Sequence, residues 1–208
     1  MKKILPFAAL LLLAACGSNH DNYQAALNGY RVGMPKDYTA FKQCHGYGCR
    51  VIDNIALTKG DWKMISKAFN PKPKNAEDER KRIAKAIGIM ETRVGKLNGT
   101  SADKVGTFKY LGTEQLDCVD ESINTTTYLH LLAQGGLLKH NQVYAPETRV
   151  PALVVIGGWP HRTAVIADIK TGERYAVDSW FYDNGHDAVI VPLKDWKSGW
   201  KPKDFKGG

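Results

Sequence analysis

The chain has 208 residues and a formal net charge of +8, which fits one domain with a sizeable core. Its basic residues are scattered, with local clusters only at 80–85 and 194–206, and the sequence contains no nucleic-acid recognition motif. We therefore exclude nucleic acid as a partner and expect a monomer whose positive charge favours anionic surfaces.

The first fifteen residues have the features of an export signal. Lys2 and Lys3 precede an apolar run over residues 4–14, which is too short to span a bilayer as a helix. The run ends in Leu-Ala-Ala-Cys16, which resembles a bacterial lipobox, a motif whose cysteine carries a lipid after cleavage. The resemblance implies a lipoprotein of the bacterial envelope, anchored to a membrane through Cys16 and facing the periplasm or the cell exterior. An ordinary cleaved signal peptide is the alternative.

Three cysteines follow Cys16, and an exported chain meets an oxidising environment. Cys44 and Cys49 lie five residues apart around two glycines, so a tight loop can bring them within disulfide range. A metal site formed by these two cysteines and His45 is the alternative, but no second ligand pair is near in the sequence. Cys118 is left without a partner, which favours a chemical role for its thiol.

The first half of the chain is predicted to be largely helical. Residues 16–36 are expected to form a lipid anchor and tether that contains a short helix near 23–30, and residues 60–69 a second short helix. A proline-containing break follows at 70–75.

The most regular pattern in the sequence predicts a long amphipathic helix over residues 76–97. Apolar residues recur there at intervals of three and four, with charged or small residues between them. These apolar residues are Ile83, Ile87, Met90, Val94 and Leu97. Asn98-Gly99 supplies a C-terminal stop, and we assign this helix to the core with no functional role.

A further helix is predicted from Asp117 or Cys118 to the Gln-Gly-Gly sequence at its end. Asp117 is a suitable N-cap, and Asp120 and Glu121 suit the positive end of the helix dipole. Residues 122–127 have poor helix propensity. Tertiary packing must therefore stabilise this helix, which is typical of a buried central one.

The last third of the chain changes to strand-like patterns. Four largely apolar runs are separated by turn signals, and they cover residues 152–156, 161–169, 175–180 and 188–193. Helices followed by strands predict an α+β domain with a mostly antiparallel sheet. We place one domain at 37–208, with a helical part over about 37–105 and a core over about 106–195.

Cys118 lies where a reactive thiol is expected, because a helix N-terminus stabilises a thiolate. Cysteine chemistry also needs a base to share the proton and a third group to orient that base. His161 is the best placed histidine because it opens a predicted strand. His130 would lie at the other end of the Cys118 helix, about 18 Å away at 1.5 Å per residue.

Asp178, on the next predicted strand, is the candidate for the third group. In an antiparallel pair, the residue numbers of opposite partners always add up to the same sum. The numbers 161 and 178 add up to an odd number, so any register with an odd sum puts both side chains on one face of the sheet. A turn centred on residues 171–172 would leave Asp178 four positions from the residue opposite His161, whereas a loop centred near 169–170 would make the two directly opposite. The register stays open at this point.

These residues resemble the Cys-His-Asp core of the transglutaminase-like superfamily, and most of all the bacterial transglutaminase-like cysteine proteinases. The resemblance covers residues 110–190 and rests on Asp-Cys118-Val-Asp at a helix start, then His161, then Tyr-Ala-Val-Asp178. It implies a papain-like or transglutaminase-like core in which the cysteine helix packs on the antiparallel sheet. It also implies Cys118 as nucleophile, His161 as general base and then acid, and Asp178 as the group that fixes the histidine tautomer.

The same resemblance suggests a metal. Asp117 and Asp120 match positions that help to bind calcium in some of these proteinases, although Val119 replaces an acidic residue common among them. Helix capping is the alternative for both aspartates. The chemistry itself requires no cofactor.

An oxyanion hole and a substrate groove are also expected. The backbone N–H of Cys118 and the side chain of Gln115 are candidate oxyanion donors. Trp159 and Trp180 each flank a proposed triad member, and they would either line the groove or pack in the core.

The expected function is a lipid-anchored cysteine peptidase or amidase that cleaves a protein or peptide amide through a thioester, with transfer to an amine left open. A cell-wall endopeptidase of the NlpC type is the second hypothesis, although those enzymes usually continue Asp-Cys with Ser-Gly where this chain has Val119-Asp120. A non-enzymatic lipoprotein that uses the same fold for binding or assembly is the third.

Overall fold

The computed structural model describes residues 22–107, 109–150 and 160–205. The predicted leader with Cys16 and the predicted strand at 152–156 lie outside these residues. No helix within the described ranges is long and apolar enough to cross a membrane.

The described residues form an α+β structure with five α-helices and two antiparallel sheets. In chain order the elements are α1 (Asn22–Gly29), β1 (Phe41–His45), β2 (Val51–Ile55), α2 (Lys59–Lys67), α3 (Ala76–Asn98), α4 (Cys118–Gln134), β3 (Asn141–Arg149), β4 (His161–Asp168), β5 (Arg174–Asp178), β6 (Val189–Pro192) and α5 (Leu193–Lys197). The predicted α+β class and the antiparallel pairing are confirmed.

The larger sheet has the order β3-β4-β5-β6, and each strand is antiparallel to the next. β1 and β2 form a separate hairpin. The sequence did not predict β1, β2 or β3. β3 lacks a regular pattern because its register shifts between Tyr144 and Glu147 and most of its residues are only partly buried.

α3 is the predicted amphipathic helix. The side chain of Asn75 caps its N-terminus by accepting from the N–H of Asp78, and Gly99 ends it at φ 83°, a left-handed conformation that favours glycine. The predicted apolar positions from Ile83 to Val94 are buried, whereas Leu97 is 56% exposed because it lies in the last turn.

α4 is a buried central helix, as its composition suggested. Most of its residues are buried, including Thr126 and Thr127, whose hydroxyls donate to the carbonyl oxygens of Ser122 and Ile123 one turn earlier. These bonds satisfy polar groups that would otherwise be costly inside the core. The helix packs on the larger sheet and against α3, so packing compensates for weak propensity.

The predicted tether is wrong for residues 22–36. α1 and the segment after it belong to the domain, because Leu27 and Val32 are buried in an apolar cluster with Ile123 of α4. The hydroxyl of Tyr23 also lies 3.0 Å from Nδ1 of His130. Within the described residues, the domain therefore begins at α1 and not at residue 37.

Candidate active site

Cys118 is the first residue of α4 and the free cysteine of the described residues. Its side chain is half-buried, and Sγ lies 4.0 Å from the carbonyl oxygen of Pro160. The N–H of Arg162 also interacts with this sulfur. The thiol therefore contacts the backbone on both sides of His161.

His161 and Asp178 form a buried pair, with Nε2 of His161 2.7 Å from Oδ2 of Asp178. The β4–β5 register pairs Ala164 with Val177, which is midway between the two registers considered from sequence. Asp178 is consequently two positions from the residue opposite His161, on the same face, and the two side chains meet along the diagonal. The expectation from parity was right.

A third group on Asp178 was missed by the sequence analysis. The indole Nε1 of Trp196 in α5 donates to Oδ2 of Asp178 at 2.7 Å, and its ring lies 5.4 Å from the His161 ring. Trp196 lies in a tail that the sequence marked only as basic. The two tryptophans in that tail, Trp196 and Trp200, were the one signal that could have indicated it.

Aromatic side chains enclose the pair. The rings of Trp180 and Phe181 lie 4.5 and 5.4 Å from the His161 ring. His161 and Asp178 are 4% and 2% exposed, so their interaction is screened little by water. Trp180 thus packs against the predicted base, and Trp159 lies outside the described residues.

The ring nitrogen of His161 that does not face Asp178, Nδ1, indicates what the pair can do chemically. An ionised Asp178 accepts a hydrogen bond, so Nε2 carries the proton and Nδ1 presents a lone pair. Nδ1 is buried and has no hydrogen-bond partner among the described residues. This tautomer leaves one ring nitrogen available to accept a proton.

Burial raises the pKa of the Cys118 thiol to about 12, and the negative charges of Asp117 and Asp178 add to the increase. The N–H groups of Arg162 and Cys118 oppose it, but they are weaker than the cost of desolvating the thiolate. Burial therefore opposes the thiolate expected at the helix start, so Cys118 needs a base at the moment of reaction.

The two aspartates around Cys118 act as helix caps in this structure. The Asp117 carboxylate accepts from the N–H groups of Val119 and Asp120, and the Asp120 carboxylate accepts from the N–H of Asp117. Asp120 also accepts from the N–H groups of Tyr47 and Cys49 at 2.8 and 2.6 Å. Backbone donors engage these carboxylates, which favours capping over the calcium site suggested by the resemblance.

The Cys44–Cys49 disulfide predicted from the sequence is present. The two sulfurs and a carboxylate oxygen of Asp120 all lie within 4.8 Å of one another. With the sulfurs bonded to each other, the alternative metal site with His45 is not formed; His45 instead lies 2.9 Å from Asp53.

The disulfide loop supports the start of α4. Both atoms of the Asn124 side-chain amide bond to the backbone of Cys44, at 2.9 and 2.8 Å. The N–H of Gly46 donates to the carbonyl oxygen of Gln115. Together with Asp120, these bonds fix the position of the Cys118 backbone.

The side chain of Gln115 is bonded to a neighbouring segment, which disfavours the oxyanion role expected of it. Its side-chain oxygen accepts from the N–H of Lys104, and its amide nitrogen donates to the carbonyl oxygen of Ala102. The side chain is buried and holds the 102–104 segment in place. The backbone N–H of Cys118 stays the candidate donor.

A buried acidic cluster that the sequence analysis missed lies behind the pair. Ser179, the residue after Asp178, donates to Glu121 at 2.7 Å, and Glu91 accepts from the N–H of Gly185 at 3.2 Å. Burial raises the pKa of Glu91 to about 7 and that of Glu121 well above its usual value. Close carboxyls that avoid ionising together are consistent with both shifts.

No protein-family model matches this chain, and no curated protein or solved structure shows significant similarity to it.

Proposed function

We propose that the protein is a cysteine peptidase or amidase that uses Cys118, His161 and Asp178. The observation that supports this most is the buried His161–Asp178 pair, which leaves Nδ1 of His161 without a partner among the described residues while the Cys118 thiol lies against the neighbouring backbone. A buried ring nitrogen with no partner among the described residues calls for an explanation, and a role as proton acceptor supplies one.

The first step of the proposed reaction is attack on an amide. Nδ1 of His161 takes the Cys118 proton as Sγ bonds to the substrate carbonyl carbon, so a protonated resting thiol is no obstacle. Asp178 stabilises the resulting imidazolium. The imidazolium then protonates the amine as the carbon–nitrogen bond breaks, which leaves a thioester on Cys118.

The second step restores the thiol. His161 removes a proton from water as the water oxygen bonds to the thioester carbon, and it returns that proton to Sγ as the carbon–sulfur bond breaks. The product is a carboxylic acid. An amine in place of water would give a new amide, so transamidation belongs to the same proposal.

A papain-like or transglutaminase-like core is part of this proposal. It is supported by the position of the cysteine at the start of a central helix packed on an antiparallel sheet that carries histidine and aspartate. The third member of the proposed triad is the carboxylate of Asp178, which favours this core over an NlpC-type endopeptidase. In those enzymes the third member is often a second histidine. The lipobox-like sequence supports a lipid-anchored envelope protein as its setting.

Digestion of two substrates tests the proposal. Purified full chain should cleave an unfolded protein substrate, and Cys118→Ala and His161→Ala should each lower the rate at least about a hundredfold. His140→Ala, in a partly buried histidine outside the site, is the matched control and should leave the rate unchanged.

Purified peptidoglycan separates the alternatives. Cleavage of peptidoglycan but not of unfolded protein would assign the cell-wall endopeptidase. Folded protein that cleaves neither, with Cys118 unreactive, would leave only the non-enzymatic binding module.

A further inference from the structure

Arg149 lies beside the proposed catalytic pair, and no carboxylate of the described residues forms an ion pair with it. It is directly opposite His161 in the β3–β4 register, so the two side chains share a face of the sheet. The charges of Asp178 and of an ionised Cys118 both act on its guanidinium. Arg149 is therefore within electrostatic reach of the nucleophile.

One half of the Arg149 guanidinium is fixed by the protein. Its first NH2 group donates to the carbonyl oxygens of Trp196 and Trp200, at 2.6 and 2.8 Å. The planar group also lies 4.6 Å from the centre of the Trp196 ring. These contacts hold the guanidinium in one orientation without using its remaining donors.

The other half of the guanidinium is unused. Neither Nε nor the second NH2 group of Arg149 makes a hydrogen bond within the described residues, and no carboxylate there pairs with it. Four other arginines do have carboxylate partners, in the pairs Arg80–Asp168, Arg82–Asp78, Arg93–Asp61 and Arg174–Glu147. A half-buried arginine that has two donor groups free and lies opposite His161 is placed to receive an anion near the nucleophile.

Resting on the proposed function, we propose that Arg149 binds a carboxylate of the substrate next to the amide that Cys118 attacks. Nε and the second NH2 group would bind the two carboxylate oxygens in parallel, as arginine does with planar anions. The protein then selects acidic peptides. The carboxylate belongs either to an Asp or Glu side chain or to a free C-terminus.

Two alkylating reagents of nearly equal size test the charge preference. Iodoacetate carries a carboxylate, and iodoacetamide is its neutral counterpart. The rate with iodoacetate is divided by the rate with iodoacetamide, once for Cys118 and once for glutathione. The Cys118 ratio divided by the glutathione ratio reports how strongly the site prefers an anion. Peptide mass spectrometry reads the label at Cys118 alone. We expect a normalised ratio of about ten or more in the wild type, and a loss of about tenfold in Arg149→Met.

Control variants separate recognition from structure. Arg174→Met removes the same charge from an exposed site and should leave the ratio unchanged, whereas Arg149→Lys should keep part of it. If Arg149 only held the Trp196 segment, Arg149→Met would slow both reagents equally and the ratio would stay the same, which overturns the proposal.

The same experiment distinguishes the two failures. A wild-type chain in which iodoacetamide reacts no faster than in His161→Ala contradicts the proposed function itself. A His161-dependent reaction with no preference for iodoacetate contradicts only the role of Arg149.

A peptide mixture identifies the source of the carboxylate. Cleavage beside Asp or Glu assigns a side chain, and trimming of free but not amidated C-termini assigns the terminal carboxylate. Cleavage with neither preference contradicts the inference.

Discussion

At the scale of residues, the proposed chemistry depends on one shared oxygen. Oδ2 of Asp178 accepts from both His161 and Trp196, each at 2.7 Å. The His–Asp pair could be predicted because β-strand parity is a local property of the sequence. Trp196 and Arg149 could not, because their roles depend on where the C-terminal segment and β3 lie in space.

Trp196→Phe should keep the aromatic packing and remove the indole donor. The indole also holds the Asp178 carboxylate in position against His161, and losing that positioning should lower the hydrolysis rate about tenfold or more. Asp178 becomes a stronger acceptor for the imidazolium, which should move the acidic limb of the pH–rate profile to higher pH. Trp200→Phe is the control, and equal profiles for the two variants would contradict the role of the indole.

At the scale of elements, caps and periodicity predicted α3 and α4 well. Asn75, Gly99 and Asp117 mark helix ends through local hydrogen bonds that a sequence displays directly. The β1–β2 hairpin and β3 were missed because their residues alternate poorly. The contact between the hairpin and α4, which positions the start of the Cys118 helix, could therefore not be predicted from the sequence.

Asn124→Ala tests that contact between elements. The substitution leaves the buried N–H and carbonyl of Cys44 without their partners, which should lower the free energy of unfolding by about 2–4 kcal/mol. Chemical denaturation followed by circular dichroism measures the loss. Asn54→Ala, at an exposed position in β2, should change it by less than about 0.5 kcal/mol. Equal stability of the two variants would show that the Asn124 amide does not join these elements.

At the scale of the whole molecule, stability should depend on pH in an unusual direction. Glu91 and Asp103 have their pKa values raised to about 7 by burial, and Glu121 lies beside them. Because the folded state holds these protons more tightly than the unfolded chain, these groups contribute stability that is fully present at low pH and is lost as pH rises from about 4.5 through 7.

Glu91→Gln should reduce this pH dependence, since a neutral amide cannot ionise. We expect the thermal midpoint of the wild type to fall between pH 5 and pH 8 and that of the variant to fall less. The losses in free energy of unfolding over this range should differ by an amount on the order of 1 kcal/mol or more. Glu77→Gln, in an exposed pair with Lys81, is the control and should follow the wild type. A wild-type midpoint that rises over this range would refute the role of burial.

If His161 takes the proton of Cys118, the pH dependence of Cys118 alkylation by iodoacetamide should show it. With a thiol pKa of about 12, an isolated Cys118 should react slowly at pH 7. We expect the wild type and His140→Ala to react at least about tenfold faster at pH 7 than His161→Ala, whose rate should rise only in strongly basic solution. Superimposable profiles for the wild type and His161→Ala would contradict it.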